Sequence, residues 1–214
     1  MDDDLTRLRA QIDQIDQQIL ALLSDRLQMA EQVAAAKQNG SPVFRPERET
    51  QLLTRLCEQT DPRLHSVIQT VWRAIISAAI ARQKPEFTIG AIASSELTAR
   101  LFAAGQLAIQ MAADPGDLCQ QIETRHLDIG IIEAADLAAL HQRLGLDKPV
   151  KIIAALPLFK QSSQPPSAFV LAAVRPEASE QDRYLVYHKD NAQTELVTAE
   201  QLAACPDLSV LGIC

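Results

Sequence analysis

The chain has 214 residues, of which 47% are hydrophobic and only 4% aromatic. That length suits two small domains, and the aliphatic make-up leans towards helix. The net charge of −7 lacks the basic excess of a nucleic-acid binder. All of it lies in residues 85–214, with nine Lys/Arg against sixteen Asp/Glu, whereas residues 1–84 carry eleven of each. A small anionic ligand is therefore sought in the first segment.

From Leu5 to about Gln38 the chain has neither Gly nor Pro. Apolar residues recur at Leu5, Leu8, Ile12, Ile15, Ile19 and Leu22, then at Met29, Val33 and Ala36. This 3/4 alternation is a heptad seam and predicts a helix about 50 Å long. Such a helix needs a second chain or a long partner helix. Asn39-Gly40 is its stop signal. After a linker, Pro46 opens a second helix whose buried face is Leu52, Leu53 and Leu56. Asp61-Pro62 starts a third, which buries Leu64, Ile68, Val71, Trp72, Ile75, Ile76, Ala79 and Ile80 and ends by Lys84-Pro85.

Beyond it the pattern becomes α/β. Strands are expected at Phe87–Ala93, Leu107–Met111, Asp128–Ile132, Val150–Leu156, Ala168–Val174 and Tyr184–His188. Helices are expected at Glu96–Ala104, Gly116–Arg125 and Ala134–Leu144, with Ser94-Ser95 as a helix cap. The predicted fold class is thus α plus α/β, with a helical domain over 1–84 and an α/β domain of regulatory or packing role over 87–214.

Cys57, Cys119, Cys205 and Cys214 form no C-x-x-C pair and lie apart from the histidines. No metal site, and no cofactor, is expected. With no basic-then-apolar leader and no apolar run approaching membrane-spanning length, the expected location is cytoplasmic, with no membrane partner and reduced thiols.

The seam of the first helix carries one flaw: the heptad register puts Arg26 at a core position, where a guanidinium is costly unless paired. Arg9 and Lys37 flank the same seam, each four residues after a seam position. Arg26 and Lys37 lie about 16 Å apart along the helix, close enough to converge on one small molecule. Arg9 lies roughly 25 Å from Arg26 and reaches the same ligand only from an antiparallel partner chain. Gln83 follows Trp72, Ile76 and Ala79 at helical spacing, and Arg48-Glu49 opens the second helix. Taken singly, each cation is equally well a surface residue lying along apolar neighbours, Gln83 a frayed helix end and Glu49 a first-turn acid favoured by the helix dipole.

Together these residues resemble the helical class of chorismate mutases. The resemblance rests on Leu5-x-x-Leu8-Arg9-x-x-Ile12-Asp13-x-Ile15-Asp16, Leu22-Leu23-x-x-Arg26, Ala34-x-x-Lys37, Pro46-Glu47-Arg48-Glu49 and Ile75-Ile76-Ser77-Ala78-Ala79-x-x-x-Gln83. It implies three helices per subunit in an intertwined all-helical dimer that rearranges chorismate to prephenate for aromatic amino acid biosynthesis. It implies that Arg9 serves the partner's site while Arg26, Lys37, Arg48, Glu49 and Gln83 serve their own. The arginines of the long helix would bind the two carboxylates, Lys37 and Gln83 the ether oxygen, and Glu49 the hydroxyl. Two positions depart from the common pattern: Arg45 stands where a short acid is frequent, and Ala79 where a serine assists carboxylate binding.

The implied reaction is intramolecular, so no nucleophile or base is needed. The protein must hold a flexible dianion compact and stabilise charge growing on the ether oxygen. Two rival readings remain: an isochorismate-pyruvate lyase using the same cations, and a non-catalytic dimeric ligand sensor. Residues 87–214 resemble a reduced prephenate dehydratase domain. Leu127-Asp128-Ile129-Gly130-Ile131-Ile132-Glu133 resembles its strand-end loop, and Ser167-Ala168-Phe169-Val170-Leu171-Ala172 stands where that enzyme has Thr-Arg-Phe. The missing Thr and Arg imply no dehydratase activity.

Overall fold

The computed structural model describes residues 2–36, 42–140, 142–145, 147–158, 166–174, 184–188, 193–197 and 209–213. The first helix, α1 (Asp2–Ala36), is continuous. Its stop signal at Asn39-Gly40 falls outside the described residues. From Asp3 to Leu22 every α1 residue is exposed, including the seam residues Leu5, Leu8, Ile12, Ile15, Ile19 and Leu22, which are 47–68% exposed. The last third of α1 packs on α3 (His65–Gln83). It does so through a neighbouring stripe, Leu23, Leu27, Ala30 and Ala34, each one position past a seam register. Glu31 and Arg82 pair across this contact at 2.5 Å. The seam itself stays uncovered through Met29 and Val33.

Helix α2 (Pro46–Glu58) has Pro in its first turn, where the missing N–H has no helical partner to lose. Its buried residues, Pro46, Glu49, Leu53 and Cys57, follow helical spacing. Before α3, Asp61 accepts from the Arg63 backbone N–H at 2.9 Å and starts a 3-10 turn, Pro62–Leu64. The stretch Pro62–Gln83 is long and apolar enough to cross a membrane by length and composition. This corrects the expectation that no such run exists. Ile68, Ile76, Ala79 and Ile80 of that stretch are buried in the protein.

The remaining elements build a mixed eight-stranded sheet, ordered β2-β1-β3-β5-β4-β8-β6-β7. The strands are β1 (Thr88–Ala91), β2 (Ala108–Met111), β3 (Ile129–Glu133), β4 (Lys151–Leu156), β5 (Ala168–Ala172), β6 (Tyr184–His188), β7 (Gln193–Val197) and β8 (Ser209–Ile213). Helices α4 (Glu96–Ala103) and α5 (Pro115–Glu123) connect parallel β1, β2 and β3. Such parallel pairs need a crossover, and helices supply it. From β5 onward the pairings are mostly antiparallel.

Strand alternation divides the core. Ile131 and Val170 point into one cluster, and Ile132, Phe169 and Leu171 into the other. The first cluster also takes Phe44, Ile76 and Ile80 from the helical segment and Phe102 and Ala103 from α4. The second lies under α5 and the 3-10 stretch Ala134–Leu140. At Gly130 an added Cβ would meet Ile122 Cδ1 at 2.7 Å and Leu118 Cδ1 at 3.1 Å, so the ends of these side chains would have to shift.

Two local expectations are corrected, and two strands join those expected. The helix expected over Ala134–Leu144 is a 3-10 stretch ending at Leu140. Strands β7 and β8 were not expected. Ser95 stands at the N-terminus of α4 but makes no side-chain cap. Its hydroxyl instead accepts from the Ile92 N–H at 3.1 Å and donates to the Ile131 carbonyl at 2.7 Å, tying the turn to β3.

Candidate active site

Helical spacing carries an acid into the apolar face of α2: Glu49 precedes Leu53 and Cys57 by one and two turns and is only 6% exposed. A lone carboxylate there would be expensive to keep ionised. Arg73 of α3 meets it, with Nη1 at 2.6 Å from Oε2. Arg26 of α1, half-buried, also acts on Glu49 electrostatically. Burial pushes the Glu49 carboxyl above the usual range; Arg73 and then Arg26 pull it back. Burial likewise lowers Arg26 somewhat, and Glu49 opposes this. Arg26, Glu49 and Arg73 thus bring α1, α2 and α3 to one charged centre beside an apolar wall.

Arg73 is itself held in place. Its Nε donates to Ser77 Oγ at 3.2 Å, and its guanidinium lies 4.3 Å from the centroid of the Phe102 ring. Ser77 donates onward to the Phe102 carbonyl at 3.1 Å. The sequence reading missed Arg73 and Ser77. The available signal was their position: two polar residues four apart, flanking Ile76 on a helix whose other marked positions are apolar.

The other expected site residues are spread more widely. Gln83 is the last residue of α3 and half-buried, its amide donating to the Ala79 carbonyl one turn back at 3.2 Å. Arg48 is exposed on α2. Arg9 stands on the exposed stretch of α1. Lys37 lies outside the described residues, directly after the last described turn of α1. Of the described members of the expected set, Arg26 and Glu49 act on one another, and Arg73 joins them.

Residues 8–84 match the family described as Chorismate mutase type II, in line with the resemblance read from the motifs. The chain is also similar to bifunctional chorismate mutase/prephenate dehydratases. It is 33% identical over 90 residues to that of Stutzerimonas stutzeri, covering 39% of this chain and 25% of the relative. It is 34% identical over 125 residues to that of Neisseria gonorrhoeae, covering 56% and 34%. The chain thus spans a quarter to a third of the length of the curated relatives it matches. No solved structure matches.

Proposed function

We propose that this protein is a chorismate mutase, an isomerase that converts chorismate to prephenate in aromatic amino acid biosynthesis. The observation that carries this reading is the family match over residues 8–84. The centre within that segment, with Arg26 beside the buried Glu49, supports it. We further propose the domain division 1–84 and 87–214, with the second unit lacking dehydratase activity.

In this reading Arg26 of one protomer and Arg9 of its partner hold the two carboxylates through planar, two-point hydrogen bonds. Arg48 adds charge at the mouth. Glu49 accepts the substrate's hydroxyl. Lys37 and Gln83 donate to the ether oxygen as the carbon–oxygen bond breaks, where a preorganised donor raises turnover. The substrate carries both ends of the rearrangement, so no cofactor is required. The active form is an intertwined homodimer. The exposed α1 seam supports this, because seven large apolar side chains between Leu5 and Leu22, Leu20 among them, are 47–68% exposed in one chain. A patch of that size and periodicity calls for a covering helix. We assign the enzyme to the cytoplasm, a reducing compartment compatible with the free thiols of Cys57 and Cys119.

The test is to add chorismate to the purified protein and follow its absorbance. Loss of chorismate with formation of prephenate supports the mutase. No loss with a folded dimer overturns it, and turnover of isochorismate to pyruvate and salicylate would assign the lyase reaction instead.

A further inference from the structure

We propose that Arg73 is a positioning residue for Glu49, and that the α/β segment holds Arg73 in place through Phe102. This rests on the reading above that Glu49 receives the substrate's hydroxyl. The contacts form a closed circuit. Phe44, in the linker before α2, packs edge-on against Phe102 of α4, with ring centroids 5.5 Å apart and an interplanar angle of 83°. Phe102 presents its face to the Arg73 guanidinium at 4.3 Å. Arg73 binds Glu49 at 2.6 Å. Glu49 stands on α2, five residues after Phe44.

A cation over an aromatic face, largely withdrawn from water, is attracted to the ring. Ser77 sets the tilt of the guanidinium by accepting from Nε and donating to the backbone of Phe102. Nε and Nη1 are thereby both engaged. Nη2 is buried with no hydrogen-bond partner among the described residues.

Three charged groups act on the Glu49 carboxylate: Arg73 from α3, Arg26 from α1 and Glu47 from its own helix. Burial and Glu47 favour the protonated form; Arg73 and Arg26 favour the anion. Removing Arg73 leaves Arg26 alone to oppose burial, so Glu49 takes up its proton at higher pH. A protonated Glu49 is a poorer acceptor for the hydroxyl, and kcat/KM then falls from the acid side.

The experiment compares full-length wild type with Arg73→Gln, Arg73→Lys and Phe102→Leu. Each is checked for fold by circular dichroism and assayed with chorismate from about pH 5 to about pH 9, between the usual carboxylate and lysine values. Arg73→Gln is expected to move the acid limb of kcat/KM up by about one pH unit or more and to lower kcat/KM at neutral pH about tenfold. Arg73→Lys keeps the charge but not the two-edged anchorage, and should restore the limb and only part of kcat/KM. Phe102→Leu keeps apolar bulk without the ring, and should shift the limb in the same direction by less.

An unmoved limb with kcat/KM within about twofold of wild type in folded Arg73→Gln overturns the proposal, since one pH unit corresponds to a tenfold change. Should Arg73→Gln fail to fold, Arg73→Lys decides: activity equal to wild type overturns positioning by the guanidinium. Carbon-13 NMR titration of the Glu49 carboxyl in wild type and variant reads the pair without turnover. A raised midpoint in the variant of a protein that ignores chorismate would confirm the ion pair while overturning both the mutase reading and Arg73's role in it.

Discussion

The residues of the centre do different work, and substitution separates them. Lys37→Ala and Arg26→Ala are each expected to lower kcat by about 10²–10³-fold, the usual loss for one preorganised donor at a developing charge. Far-ultraviolet circular dichroism should stay that of wild type, because Arg26 is only half-buried. Near wild-type turnover in either variant would remove that residue from the site.

Another residue-scale consequence concerns Cys119, on the buried face of α5, whose thiol is pushed up to about 11 mainly by desolvation. At pH 8 it should resist a thiol reagent in the native protein and react once the chain unfolds. Its folded value lies above the unfolded one of about 8.5, so its contribution to stability is intact below that pH and fades as pH rises through the folded value. Mass spectrometry of peptides labelled at pH 8 checks the first statement. Rapid native labelling of Cys119 would contradict it.

At the scale of elements, α1 was the most legible feature. Its 3/4 pattern runs through 35 residues without a breaker, and no short-range alternative competes with a pattern that long. The sequence did not show that two stripes are in use, one against α3 and the seam left open. Both are apolar, and only packing tells them apart. Ile12→Asp or Ile15→Asp should therefore leave each protomer's helices intact while converting dimer to monomer in light scattering. Activity should fall with dissociation, since the partner's α1 supplies a substrate-binding arginine in the proposed site. A fully active monomer would refute the shared-site arrangement.

Strands β7 and β8 were illegible for a different reason. The sequence of β7 has only Leu196 and Val197 as apolar residues, and that of β8 is interrupted by Gly212, so neither carries the continuous apolar run that marks β5. They are stabilised by distant partners: β8 lies between β4 and β6, and β7 closes on β6. In β3, Gly130→Ala should lower stability by about 1–3 kcal/mol through overpacking against α5, read as a lower denaturant midpoint. An unchanged midpoint would mean that Ile122 and Leu118 yield freely.

At the scale of the whole molecule, the helical and sheet segments share an apolar cluster running from Phe44 and Ile80 to Phe102 and Val170. The second segment is thus packed against the first. Purified protein given chorismate should accumulate prephenate and form phenylpyruvate only after acidification. Phenylpyruvate before acid would show a working dehydratase and reverse the reading of the missing Thr and Arg.

The sequence by itself determined the long heptad helix and the α-then-α/β order, because these depend on local period; Arg9, Arg26 and Lys37 stand out by their spacing along one helix, and their part in the site is a proposal. Tertiary structure alone decided that Glu49 is buried, that Arg73 answers it from 24 residues away, and that Phe102 backs Arg73 from the other segment. Those facts arise from burial and charge pairing between distant parts of the chain. No local pattern encodes them, since an arginine amid apolar residues reads the same whether it faces water or a carboxylate.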